Sequence, residues 1–128
     1  MNKTLKTETM TLEALGDHIV FGITHPKAYM TWETELTNIL EAKKMVGGKN
    51  PYMLLDIRSS KGISKEARKN ISKNDDMAAT ALIVGAGMSR IIGNFMIGLN
   101  KTNIPIKLFK NKEDGLKWLN ELIEKNKL

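Results

Sequence analysis

The sequence predicts an α/β fold: a mixed, mostly parallel five-stranded sheet with four helices, in the order β-β-α-β-α-β-α-β-α. Three observations carry this expectation. The chain opens with two apolar runs, Met10–Leu15 and His18–Ile23, flanking Gly16-Asp17, a pair suited to a tight hairpin turn. Tyr52–Ile57 and Ala78–Val84 are short apolar runs bounded by turn residues, as strands covered on both faces are. Between and after them lie segments with apolar residues at helical spacing. A hairpin followed by alternating strand and helix builds a sheet of parallel neighbours with helices packed on it.

After the hairpin, "THPKAYMT" carries the chain away from the sheet, with Pro26 disfavouring helix just before it. Thr31 can accept a bond from the free amides of a first helix, and Glu33 and Glu35 complement that helix's positive end. Trp32, Leu36, Ile39 and Leu40 form its expected apolar stripe, and Gly47-Gly48 stop it. Helix two is expected from about Ser64 to Lys73, with Ile63, Ala67 and Ile71 as its inner row. Lys61, Lys65, Lys69 and Lys73 repeat every four residues on another side, with Arg68 alongside. Gly85-Ala86-Gly87 turns the next strand into helix three, about Met88 to Asn100. Met88, Ile91, Ile92, Phe95 and Leu99 make its core row; Arg90, Asn94, Ile97 and Lys101 make the outer one. "IPIKLF" is the closing strand. Asn111 then caps a last helix with Asp114 at its third position, and Leu116, Leu119 and Ile123 face inward, flanked by Trp118 and Leu122.

At 128 residues the chain has the length of one domain, and no repeat, low-complexity tract or linker divides it, so residues 1–128 are expected to form a single domain. With no cysteine, disulfides, thiolate zinc sites and cysteine nucleophiles are excluded. His18 and His25 sit in no metal-binding spacing, so neither a metal nor another cofactor is expected. The opening residues lack an apolar core of signal-peptide length and no later run approaches a membrane span; the expected location is the cytosol. A net charge of +6 favours acidic partners, but the basic stretch holds none of the interleaved aromatics that stack on bases, which disfavours nucleic acid.

"ALIVGAGMSR" has the strand, Gly-x-Gly and helix of a dinucleotide fingerprint, but Arg90 stands where the third glycine belongs. A tight turn accounts for it; an anion bound there would be held by Ser89 and Arg90. Glu33, Glu35, Glu66, Asp75, Asp76, Glu113 and Asp114 fall at helix starts or in a turn, where helix-end electrostatics explains them. No nucleophile-base constellation or inward carboxylate pair can be assembled, so no enzyme is expected.

"PYMLLDIRSSKGISKEAR", "ATALIVGAGMSRIIGNFMIGLN" and "IPIKLFKNKEDGLKWLNEL", taken in this order, resemble the STAS family. That fold serves bacterial anti-sigma-factor antagonists and the cytosolic domains of sulfate transporters; the similarity is greatest to small stand-alone STAS-like proteins without an assigned function. In the signalling members, an Asp-Ser-Ser/Thr-Gly motif at the start of helix two carries the serine that a partner kinase phosphorylates. Counting from Asp56, this chain places Ser64-Lys65-Glu66-Ala67 there, with Ser64 on the family's Asp and Lys65 on the acceptor, so the motif is lost. A shift of one residue would make Ser64 the acceptor.

The resemblance implies a non-catalytic regulatory module that binds another protein, or a second copy of itself, through the loop before helix two and the faces of helices two and three. The expected contact residues are Lys61, Lys65, Lys69, Arg90, Asn94, Ile97 and Lys101, with Ile97 singled out as an apolar residue between Arg90 and Lys101. Ser59, Ser60, Ser64 and Lys65 form an anion or phospho-loop candidate. Ser64 is equally an N-cap, and Ser59, Ser60 and Gly62 equally a turn. The alternative function is a binder of a small apolar or anionic ligand, since the wider group and the similar CRAL-TRIO carriers include such sites; Gly93 and Gly98 of helix three would loosen a cleft for it.

Overall fold

A computed structural model describes residues 4–98 and 102–127, the side chains of residues 94–98 excepted. Six strands make one sheet in the order β1-β2-β3-β5-β7-β8. β1 (Thr4–Lys6), β2 (Met10–Leu15) and β3 (Ile19–Thr24) pair antiparallel, and β5 (Tyr52–Asp56), β7 (Ala79–Ile83) and β8 (Ile106–Phe109) continue parallel from β3. β4 (Tyr29–Met30) and β6 (Gly62–Ile63) form a separate two-stranded parallel ribbon. The helices are α1 (Trp32–Met45), α2 (Lys65–Lys73), α3 (Ser89–Gly98) and α4 (Lys112–Asn126).

The expected α/β class and mostly parallel sheet are present, but the count of five strands is corrected: the sheet has six, and the ribbon adds two more. β1 is only three residues long and exposed at all three positions, Leu5 included, so it carries no buried-face alternation that sequence could reveal. Two-residue strands have no period at all.

Strand alternation divides the core. On one face Met10, Leu12, Val20, Met53, Leu55 and Leu82 pack with Ile39 and Ala42 of α1, Ala67 and Ile71 of α2, and Met88 before α3. On the other, Ile19, Phe21, Leu54, Ala79, Ala81 and Ile83 receive Leu119 and Ile123 of α4. Trp118 of α4 reaches the β8 edge, its ring 5.6 Å from that of Phe109.

The caps are those the sequence predicts. Thr31 Oγ1 accepts the Thr34 amide at 3.2 Å while Thr34 Oγ1 accepts the Thr31 amide at 3.0 Å, closing a capping box. Asn111 Oδ1 accepts the Asp114 amide at 2.8 Å. Helix α1 stops where Gly47 and Gly48 take φ of 74° and 86°, left-handed values that other residues resist.

The stripe of α1 is corrected. Ile39 is buried, but Leu40 is 42% exposed, and Glu35, Asn38 and Ala42 lie inside. Successive residues turn by about 100°, so burying 35, 38, 39 and 42 carries Leu40 round toward solvent. Thr7 and Thr9, in the turn before β2, favour this rotation because they hydrogen-bond Asn38 and Glu35.

Candidate partner-binding surface

β3, β5, β7 and β8 are parallel, so the loops after them gather at one end of the sheet, where open α/β sheets commonly bind. At the end of β5, Asp56 accepts from Arg58: Nε to Oδ1 at 2.9 Å, Nη2 to Oδ2 at 2.7 Å, and the Arg58 amide to Oδ1 at 3.1 Å. Burial by itself would raise the Asp56 pKa, but these hydrogen bonds and the guanidinium charge outweigh it and hold the carboxyl below its ordinary range. The Arg58 stem also lies along Gly85, so the pair braces the β5 loop against the Gly85–Gly87 turn.

The loop from Ser59 to Ser64 is tied to the segment after β3. The Lys27 amide donates to Ser59 O at 2.9 Å, the Lys61 amide to Ala28 O at 2.7 Å, and the Ser64 amide to Met30 O at 2.8 Å. Within this ribbon Met30 and Ile63 point inward, 1% and 7% exposed, while Tyr29 on the outward side is 50% exposed. Sequence singled out neither Tyr29 nor Lys27, because their proximity to Lys61 exists only once the ribbon forms.

The three loop serines occupy three different situations. Ser64 caps α2, its Oγ accepting the Ala67 amide at 3.0 Å. Ser59 is exposed, and Ser60 Oγ is enclosed without a hydrogen-bond partner among the described residues. Lys65 and Lys69 are exposed on α2, as expected, but Lys61 leaves the expected row: it precedes β6, ahead of the helix, and adjoins Ala28 instead. Arg68 packs back, its Nη1 donating to Ile63 O at 3.1 Å. Ser89 and Arg90 are exposed at the start of α3, and Ile91 and Ile92 pack on the core. The expectations for the side chains of Asn94, Phe95 and Ile97, and for Leu99 and Lys101, lie outside the described residues.

Among the described residues, ion pairs join Lys43 to Asp76, Lys44 to Glu41, Arg58 to Asp56 and Lys127 to Glu124. None neutralises Lys27, Lys61, Lys65, Lys69 or Arg90. His25 is held by its neighbours, Nε2 3.0 Å from Thr11 Oγ1 and Nδ1 3.3 Å from Glu8 O.

Glu35 is a further correction: it is not a solvated first-turn charge but a buried group, 3% exposed. Burial pushes its pKa up to about 7, although Asn38, Thr34 and Thr9 donate to Oε2 at 3.2, 3.3 and 3.4 Å. Thr7 Oγ1 completes the cluster by donating to Asn38 Oδ1 at 2.5 Å. Beside it lies a cleft of about 410 Å³ lined by Thr7, Glu8, Thr31, Glu33, Thr34 and Thr37. A shallower hollow of about 710 Å³ follows Glu113, Leu116, Lys117, Asn120, Glu121 and Glu124 on α4. Neither includes an expected site residue.

Among the described residues no helix is long and apolar enough to cross a membrane. The family model for a domain of unknown function (DUF7793) matches residues 12–123. No curated protein matches the sequence. Among solved structures, the chain is similar to an uncharacterized protein of the DUF3478 family with a SpoIIAA-like fold from Shewanella loihica PV-4. The TM-score is 0.56 at 19% identity, over 93% of this chain and 95% of that one. The resemblance read from the sequence thus holds at the level of fold.

Proposed function

The chain belongs to the DUF7793 family, and from that premise we propose that residues 1–128 form one STAS-like domain acting in the cytosol as a non-catalytic regulatory module that binds another protein. The contact surface is the loop before α2 together with the outward faces of α2 and α3: Lys61, Lys65, Lys69 and Arg90, extended by Asn94, Ile97 and Lys101. The observation that carries this reading is the exposed charge of the first four residues, in no ion pair among the described residues, on elements braced by the Asp56–Arg58 pair and the ribbon. Charge held on a rigid frame is suited to recognition rather than to turnover.

In this reading the phosphoserine switch is lost. Ser64 spends its hydroxyl on the α2 amide, and Lys65 at the acceptor position cannot take phosphate. The module therefore binds constitutively or under control from its partner.

Capture of partners from the native cell by the tagged chain tests the proposal, with light scattering on the purified chain reporting self-association. Wild type is expected to retain a defined partner or a second copy. Lys65→Glu with Lys69→Glu, and separately Ile97→Glu, are expected to lose it without lowering the melting temperature. Retention by both variants would place the contact elsewhere.

A further inference from the structure

We propose that Tyr29, Lys27 and Lys61 form the anchoring point of that surface, and that it receives an acidic segment of the partner protein carrying an apolar residue between its carboxylates. The inference rests on the partner-binding reading above and adds the chemistry of what is bound.

The ribbon presents these residues in a fixed arrangement. Its inward side chains, Met30 and Ile63, are anchored in the core, and register sets Tyr29 opposite Gly62. Because Gly62 has no side chain, the Tyr29 ring lies across it: a Cβ there would meet Tyr29 Cε1 at 3.3 Å. The ring is half exposed, yet its backbone is pinned by the ribbon. An aromatic group ordered before binding loses little freedom on contact, which is the character of an interface anchor.

Charge decides the occupant. The Lys27 amide is bonded to Ser59 O and the Lys61 amide to Ala28 O, which fixes both exposed lysines at the start of the ribbon, and none of the ion pairs among the described residues includes either. Lys27 holds a left-handed φ of 64°, a conformation that side chains other than glycine, asparagine and aspartate rarely adopt. Lys65 and Lys69 extend the same sign along α2. A second copy would bring this positive surface against itself, and the net charge of +6 adds to the repulsion. Nucleic acid would need several stacking platforms, and the lysine row of α2 contains none. A protein segment with carboxylates for the lysines and an apolar side chain for the ring satisfies both features.

The test is a titration of the ¹⁵N-labelled full chain with a synthetic peptide of glutamates interrupted by two leucines, followed by amide shifts. The largest shifts are expected at residues 27–30 and 59–65. Tyr29→Ala, and Gly62→Ala, which crowds the ring without touching a charge, should each weaken binding about fivefold, the size of a modest interface anchor. Lys27→Asn, which keeps the left-handed backbone, should weaken it and flatten its salt dependence. Shifts centred on α4 or spread evenly over the surface would overturn the inference, as would unchanged affinity in Tyr29→Ala and Gly62→Ala, or tighter binding by a DNA oligonucleotide of equal length. A native partner lost by Lys65→Glu with Lys69→Glu but kept by Tyr29→Ala would leave the partner-binding reading standing and remove this one.

Discussion

Two carboxyls buried on opposite faces of the sheet respond to pH in opposite directions. Glu35 has a folded pKa raised from 4.5 to about 7, so the folded state holds its proton more tightly than the unfolded chain does. Its contribution is fully present below about 4.5 and is lost as pH rises through about 7. A shift of this size corresponds to about 3 kcal/mol. Glu35→Gln, which keeps an uncharged group of the same shape, is expected to match wild type in denaturant unfolding at pH 4 and to exceed it at pH 8. Equal stability at pH 8 would mean that water reaches the carboxylate. Asp56, with its pKa lowered by Arg58, contributes stability that is present above its unfolded pKa and lost as pH falls through the depressed one. Nothing in the sequence separated Glu35 from Glu33: both are first-turn acids, and only the rotation of α1 buries one and exposes the other. Ser64 and Asn111 were legible because a cap is a local device, complete within four residues. Ser64→Ala should cost about 1 kcal/mol, read as a lower melting temperature.

At the level of elements, helices and long strands declared themselves through periodicity, whereas β1, β4 and β6 did not, being short and defined by partners distant in sequence. The position of Lys61 shows the consequence. Its spacing from Lys65 and Lys69 placed it on a helical row, but pairing between β4 and β6 put it beside Lys27 and Tyr29. The approach of α4 to the sheet is equally non-local. It depends on Gly115, where an added Cβ would lie 2.8 Å from Leu54 Cδ1 and 3.4 Å from Ala81 Cβ. Gly115→Ala should push the helix outward and destabilise by about 1–3 kcal/mol, as overpacking of a tight core does. An unchanged unfolding midpoint would mean that Leu54 yields by changing rotamer.

Across the whole molecule, connectivity was the most legible property. Every expected strand and helix is present in its expected order, and short right-handed crossovers leave few other ways to build the sheet. The site was legible only in part: the exposed cations of α2 and the start of α3 follow from spacing, while the ribbon and the Asp56–Arg58 brace arise only from folding. Helices α1 to α3 line one face and α4 the other, so recognition is left to the outward helix faces and the loops at the carboxyl ends of the strands. Hydrogen–deuterium exchange tests that division most directly, comparing the chain purified alone with the chain purified together with the proteins that accompany it from the native cell. Slowed exchange in residues 27–30, 59–69 and the first turn of α3 is the result expected. Protection confined to β1 and α4, with those segments unchanged, would contradict it.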